Sequence, residues 1–333
     1  MTLTRRAFVA SGTLAVSSFS IIRPALAATY RMATNLPAGH PMIARMEEAA
    51  RAIKAETNGE FDIRIFPNSQ LGGDLEVLSQ LRQGAIQFYP LAGAQLSNLA
   101  PVSSLNGVGF AFNTLDDVWK AMDGDVGAII RKALMATGLH VFDEMFDNGF
   151  RQITTSTKPI EKPGDLAGVH IRVPPSPLST SLFKAFGAAP QSISFGEVYT
   201  ALQTKLVDGQ ENPLPLVDSG KFYEVQKYVS LSNHMWDGFW VLANGPFWKR
   251  QSKATQDIVS KHFRAAALAE RGDLVTLTDS LRDKLSKAGM TFVEPNRQAF
   301  REALGATSFY KEWKDKFGAE AWGTLERYTG KLG

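Results

Sequence analysis

Strict alternation of apolar and polar positions at Phe61-Asp62-Ile63-Arg64-Ile65 predicts a strand with one buried face, broken by Pro67-Asn68. Ahead of it, residues 29–34 read as a short first strand. Met42, Ile43, Met46, Ala49, Ala50 and Ile53 then form one stripe of a helix over residues 40–57, which Asn58-Gly59 should stop. Gly72-Gly73-Asp74 opens a second helix with Leu75, Leu78 and Leu81 inward, and residues 86–91 form the next strand. Strand, helix, strand, helix, strand at this spacing predicts an open α/β sheet.

A second unit repeats the rhythm. Residues 139–145 and 150–155 read as strands around a turn at Asp147-Asn148-Gly149, and residues 169–173 as another, ended by Pro174-Pro175-Ser176-Pro177. A helix over 178–186, a strand over 190–193, a helix over 195–206 and a strand edge at 208–213 follow. Residues 228–231 and 239–243 are strands suited to crossing back to the first unit. Residues 253–288 are helical with a kink expected at Gly272, and residues 297–328 should form two more helices. No low-complexity linker and no repeat of fixed period is present, so several strands rather than one tether should join the units. From Gln83 to Leu115 there is no charge, yet Pro90, Asn98, Pro101 and Asn106 interrupt the stretch. It reads as buried strands and turns near a core or cleft.

Composition narrows the function. The chain has 333 residues, 44% hydrophobic and 21% charged, which is ordinary globular composition and enough for two cores. Lys plus Arg is 36 against 33 for Asp plus Glu. The excess of three is Arg5, Arg6 and Arg23, all within residues 1–27, which hold no acid. The remaining body is formally neutral and offers no basic footprint to nucleic acid or anionic lipid. Zero cysteines exclude disulfides, thiolate metal sites and cysteine nucleophiles. Thr4-Arg5-Arg6-Ala7-Phe8-Val9, an apolar Ser-rich stretch to Ile22 and then Ala25-Leu26-Ala27 have the layout of an export signal cleaved after Ala27. The paired arginines resemble the twin-arginine type. A periplasmic location is expected.

Enzyme signatures fail. There is no P-loop, and Gly107-Val108-Gly109 lacks the third glycine of a dinucleotide turn. His40, His140, His170, His234 and His262 lie too far apart in sequence for a zinc motif. Ser181-Leu182-Phe183-Lys184 matches S-x-x-K without the partner motifs that would give it meaning. No catalytic residue, metal or cofactor is expected. What remains is polar groups at strand ends. Arg172 stands at the carboxyl end of an apolar strand, where open α/β sheets bind ligands, and its planar fork suits a carboxylate. Asn212, fixed in extended backbone by Pro213, offers donor and acceptor together. Arg151 follows the Asn148-Gly149 turn. Taken singly, such an Arg is most often a solvated surface group and such an Asn merely a turn.

Together the residues carry a resemblance. Gly168-Val169-His170-Ile171-Arg172-Val173-Pro174, the run from Ser194-Phe195-Gly196 through Gln203-Thr204, and Val207-Asp208-Gly209-Gln210-Glu211-Asn212-Pro213 are similar to the solute-binding proteins of tripartite ATP-independent periplasmic (TRAP) transporters, DctP type. Phe66-Pro67-Asn68-Ser69-Gln70-Leu71-Gly72, Asn148-Gly149-Phe150-Arg151-Gln152, the segment from Phe222 to Tyr228, and Ser232-Asn233-His234 agree in order and spacing, over nearly the whole chain after residue 27.

The resemblance implies an α/β, two-domain periplasmic-binding-protein fold with a ligand cleft between the lobes, hinge strands and a long helix spanning the hinge. Lobe I would hold residues 28–148 and about 237–275, lobe II residues 149–236, and helices over about 254–333 would span or pack on both. It implies that Arg172 pairs bidentately with a ligand carboxylate, backed by Asn212 and Arg151. Phe195 would pack on the ligand and Asp74 meet its polar substituents. From its place just past Asn233-His234, Trp236 is a candidate to cover a ring, and Asn35 and His40 are further candidates for ligand contact. The partners implied are a small carboxylate and the membrane permease, with the chain acting as a monomer. The branch that binds sialic acid has a glutamate where this chain reads Leu91-Ala92-Gly93 and an asparagine where Pro175 stands. A sugar acid such as a hexuronate is therefore the expected ligand, with an aromatic or C4 acid as alternative. The rival class is a periplasmic hydrolase or lyase, but no nucleophile or base accompanies the arginines.

Overall fold

The computed structural model describes residues 28–333, so the export signal read from Arg5-Arg6 and Ala25-Leu26-Ala27 lies outside the described residues. The alternating segment at 61–65 is a strand, as its pattern requires. Together the strands are β1 (Ala28–Ala33), β2 (Phe61–Phe66), β3 (Phe88–Ala92), β4 (Leu139–Val141), β5 (Phe146–Phe150), β6 (Gln152–Thr155), β7 (His170–Val173), β8 (Ala189–Ser192), β9 (Gly209–Asn212), β10 (Tyr228–Ser230), β11 (Trp236–Asn244) and β12 (Thr291–Val293).

They form two six-stranded sheets. The first runs β2-β1-β3-β11-β4 with β5 also on β11, and the second β12-β10-β6-β9-β7-β8. Every residue of β3 and of β11 is buried, because helices cover both faces of these central strands. The apolar stripe at 42–53 is the buried face of helix Pro41–Glu56, which connects parallel β1 and β2. Helix Asp74–Gln83 ends at Gly84, whose φ of 80° caps it in the left-handed conformation that glycine adopts without strain. Its inner face is Asp74, Val77, Leu78 and Leu81. Leu75, expected inward, is 41% exposed: a helix opening at Asp74 turns that position outward.

The lobes are joined at three places. β5 of the first sheet passes to β6 of the second through Arg151 alone. The chain returns from β10 to β11 through residues 231–235, and the backbone N–H of Arg151 donates to the carbonyl of Met235 at 2.8 Å, tying these two crossings together. The third is helix Lys253–Lys287, 35 residues without interruption at Gly272, which packs on helix Pro41–Glu56 of one lobe and helix Leu214–Ser219 of the other.

Other departures from the sequence reading are local. Asp147-Asn148-Gly149 is not a turn but part of β5, pinned by pairing with β11 across a bulge at Asp237/Gly238. The expected helix over 195–206 is a 3₁₀ turn, Phe195–Glu197, followed by helix Val198–Gln203. The C-terminal segment forms three helices, Arg297–Gly305, Phe309–Phe317 and Ala319–Thr329, since Gly318 at φ 86° divides what reads as one amphipathic run. Phe300, Leu304, Phe309 and Trp313 of these helices share a core with Leu105 and Val118 of the first lobe and Val173 and Leu182 of the second.

Candidate functional site

β7, β8 and β9 are parallel, so their carboxyl ends open on the same side. Arg172 is the penultimate residue of β7 and Asn212 the last of β9. β6 runs antiparallel with Gln152 opposite Asn212, which brings the preceding Arg151 to that same edge. Sheet topology thus gathers three side chains that are far apart in sequence.

The two arginines differ in what they face. Arg151 is paired with protein carboxylates: Nε and Nη2 both donate to the Glu211 carboxylate, Nη1 to Asp237 Oδ2 at 3.1 Å, and Nη2 also to Asn212 Oδ1 at 2.9 Å. Burial disfavours its charge, but Glu211 and Asp237 more than offset this and raise its pKa. Burial likewise opposes the Glu211 carboxylate, yet the Arg151 charge and a hydrogen bond from His234 hold it down at about 2. His234 accepts from Ser232 at Nδ1 (2.8 Å) and donates from Nε2 to Glu211 (3.1 Å); burial lowers its pKa and keeps it neutral. Arg151 is therefore held by protein carboxylates, orients Asn212 and lines the same chamber as Arg172.

Arg172 has no such partner. Only 1% exposed, it donates from Nε to the Ile193 carbonyl at 2.8 Å, and among the described residues no carboxylate forms an ion pair with it. Burial lowers it to about 10, with Glu211 pulling upward and Arg151 downward, so it stays charged at neutral pH. A buried, unpaired guanidinium costs free energy in the unliganded protein. Its two terminal nitrogens are free to hold an anion.

Around them lies a narrow chamber lined by Asn35, Gln95, Asn148, Arg151, Arg172, Phe195, Asn212 and Phe239 among others. Its free space is about 10 Å³, close to the room one water molecule needs. A ligand of several carbons can enter only when the walls part. Asn35 Oδ1, Gln95 Oε1 and both polar atoms of the Asn148 side-chain amide are buried without a hydrogen bond. Such groups normally find partners, so several of them around one arginine mark the chamber as a place for a polar ligand.

Asp74, fully buried, joins the chamber's two walls. Its Oδ1 accepts from Asn35 Nδ2 at 2.8 Å and its Oδ2 from the Phe195 backbone N–H at 3.4 Å. A second bridge of this kind runs from Asn98 Nδ2 to the Pro175 carbonyl at 2.9 Å. Burial, reinforced by Asp74, lifts the Tyr89 phenol well above its usual range.

Two expected site residues lie elsewhere. Trp236 is core: its Nε1 donates to Asp147 Oδ1 at 2.9 Å, and its ring meets Trp119 edge-on at 5.2 Å. Its place on β11, buried on both faces, leaves no ring free to cover a ligand. His40 caps helix Pro41–Glu56, its Nδ1 accepting from the Met42 N–H at 3.3 Å, and burial lowers it to about 4. Gln95, Asn148, Glu211 and Asp237 were not singled out from sequence. Only the charge-free stretch from Gln83 to Leu115 signalled that Gln95 sits against a cleft.

Beside the hinge, Glu270 of the long helix is fully buried, has no cation partner among the described residues and accepts the Asp147 N–H at 3.0 Å. Burial, then the neighbouring Asp147, raises Glu270 well above the carboxylate range, against Arg271; burial pushes Asp147 up to about 7. Raised carboxyls bind protons more tightly folded than unfolded, so stability falls as pH rises from about 4 through 7. The Glu270→Gln variant should melt higher than the parent at pH 8 and show a flatter slope of melting temperature between pH 5 and 8. An unaltered slope would show that Glu270 does not carry this proton.

A profile of bacterial extracellular solute-binding proteins, family 7 (DctP), matches residues 32–315. The chain is 34% identical to the 2,3-diketo-L-gulonate-binding periplasmic protein YiaO of Escherichia coli, over 76% of this chain and 77% of that one. It superposes with TM-score 0.87 on the sugar acid binding protein DctPAm of Advenella mimigardefordensis in complex with galactonate, at 27% identity, covering 92% of this chain and 99% of that one. With TM-score 0.85 and 29% identity it also matches a TRAP periplasmic solute-binding protein of Sulfurospirillum deleyianum with bound succinate, covering 92% and 99%.

Proposed function

Because the chain belongs to the DctP family of bacterial extracellular solute-binding proteins, we propose that it captures a sugar acid, such as a hexuronate or aldonate, and delivers it to the membrane permease of a TRAP transporter. The family is made of substrate-binding transport proteins, and this chain is a binding protein rather than an enzyme. One observation carries the ligand class: Arg172 is buried, charged and without a protein carboxylate, so a ligand carboxylate is the group that completes it. Asn212 stands beside it. The unpartnered amide groups of Asn35, Gln95 and Asn148 ask for hydrogen-bonding partners, which a hydroxyl supplies as both donor and acceptor, and this favours a sugar acid over an aromatic acid or an unsubstituted C4 acid.

In this reading residues 28–148 with about 237–275 form lobe I, residues 149–236 form lobe II, and the helices after about residue 254 bind both. The lobes part to admit ligand and close over it as a monomer, Phe195 packing against the bound acid. A thermal-shift screen tests the class. A ligand at 100 times its Kd should stabilise the protein by about 2.7 kcal/mol. Galacturonate, glucuronate or galactonate should give such a shift; a shift from neutral sugars or amines with none from any carboxylate would overturn the reading. Arg5-Arg6 with Ala25-Leu26-Ala27 supports export to the periplasm with cleavage after Ala27. Mass spectrometry of periplasmic protein should find Ala28 at the N-terminus, and retention of residues 1–27 would contradict it.

A further inference from the structure

Two loops meet at the edge of the chamber: residues 69–74 of lobe I, between β2 and helix Asp74–Gln83, and residues 194–196 of lobe II, after β8. Besides the bond from the Phe195 N–H to Asp74, they touch at two glycines, one in each loop. A methyl group on Gly73 would stand 3.1 Å from Ser194 Oγ. One on Gly196 would stand 3.0 Å from Ser69 Oγ and 3.1 Å from Ser69 Cβ, nearer than such atoms pack at ease. The pairing is reciprocal, each lobe setting a glycine against the other's serine. Beyond chain neighbours, the only atoms within 4 Å of either methyl, among the described residues, are those of that opposing serine. Ser69 Oγ is buried there without a hydrogen-bond partner, so the contact supplies close approach and not a polar bond. Neither glycine is demanded by its own backbone. Gly73 has φ −74° and ψ 165°, extended backbone open to any residue, and Gly196 lies outside the left-handed region.

We infer that Gly73 and Gly196 are positioning residues for ligand retention: lacking side chains, they let the two lips of the cleft close into direct contact, and the hold on a bound acid depends on that contact. The inference rests on the carboxylate-binding reading above and adds what keeps the acid in. A side chain at either position meets nothing in its own lobe and strikes only the lobe opposite. It therefore leaves the parted lobes as they are and disfavours the closed state alone. Ligand affinity follows the population of the state that binds best, so a propped seam weakens binding without any change in the groups that touch the acid. The two positions differ in how hard they press. Ser194 Oγ can rotate away from a methyl on Gly73, whereas Ser69 Cβ is fixed to its backbone and cannot leave a methyl on Gly196.

Calorimetric titration of Gly73→Val, Gly196→Ala and Gly196→Val with galacturonate, glucuronate and galactonate tests this. Each acid that the parent binds should bind the two Val variants about 5- to 150-fold more weakly, the usual scale of an overpacked contact, with Gly196→Ala towards the lower end. Unliganded melting curves should stay close to the parent's, because in the open protein the loops stand apart. Ser69→Gly removes the atoms that a methyl on Gly196 would strike, at a φ of 55° where glycine carries no strain. Combined with Gly196→Ala it should restore most of the lost affinity; combined with Gly73→Val it should restore none. A merely structural role would not give that pairwise pattern. If one Val variant fails to fold, the other decides. Parental affinity in the folded Val variants would overturn the inference while leaving the carboxylate reading intact, since the lips would then stand apart around bound acid. A loss in Gly196→Ala that Ser69→Gly does not relieve would overturn it as well. Binding of no carboxylate by the parent would overturn both.

Discussion

Replacing Arg172 by Ala is expected to weaken carboxylate binding by about 30- to 5,000-fold without destabilising the unliganded protein in proportion. Truncating one partner of a desolvated charge pair costs roughly 2–5 kcal/mol, because the other charge is left buried and unpaired. In the free protein the situation reverses. Arg172 is the buried charge without a counterion, and its removal relieves a cost. Arg172→Met, which keeps much of the side chain's bulk, should melt no lower than the parent while binding no better than Arg172→Ala. Arg172→Lys should recover only part of the affinity, since an ammonium cannot reproduce the two-pronged geometry. Titration calorimetry beside unliganded melting curves separates the effects. A well-folded Arg172→Ala with near-parental affinity would remove the anchor from this account.

The second large effect falls on stability. Glu211→Ala should cost about 3–5 kcal/mol, because it leaves Arg151 buried with only Asp237 as counter-charge and takes the acceptor from His234. The pH dependence follows from the same contacts. Glu211 is held at about 2 when folded against an ordinary 4.5. Its contribution is thus present above pH 4.5 and lost as pH falls from there towards 2, about 3 kcal/mol in all. Urea denaturation between pH 3 and 7 should show this acid limb in the parent and largely lose it in Glu211→Gln. An equal loss on acidification in both would assign the limb to other carboxyls.

Much of this was legible in the sequence because it is written at short range. The stripe from Met42 to Ile53 and the alternation at 61–65 depend on neighbours a turn or a residue away, and Arg172 could be placed at a strand's carboxyl end by the prolines that follow it. Arg151 was hard to place for the opposite reason. Its counter-charges stand 60 and 86 residues away and meet it only once β6, β9 and β11 are assembled. Asn148 and Gln95 share that difficulty: nothing local distinguishes an amide with an unpartnered buried oxygen from one that water would satisfy. Trp236 was ambiguous for want of its partner, since a Trp beside a cleft and a Trp bonded to Asp147 behind it have the same local sequence. Gly318 shows the limit for elements themselves, where one left-handed residue splits a helical pattern that periodicity alone would run together.

The position of β11 bears on how the protein is made. It lies between β3 and β4, and β4 and β5 pair with no other strand of that sheet. Its register joins Phe239 to Ala92 and Ala243 to Phe88, partners about 150 residues earlier in the chain. A nascent chain emerging from the ribosome therefore holds the first sheet open while every strand of the second but β12 is synthesised. Contacts of such long sequence separation slow folding, since the loop must close before the pairing repays it. The N-terminal half stays unfinished, with the apolar edge of β3 uncovered, until synthesis has passed Asn244, and it is during that interval that the chain is most in need of a chaperone.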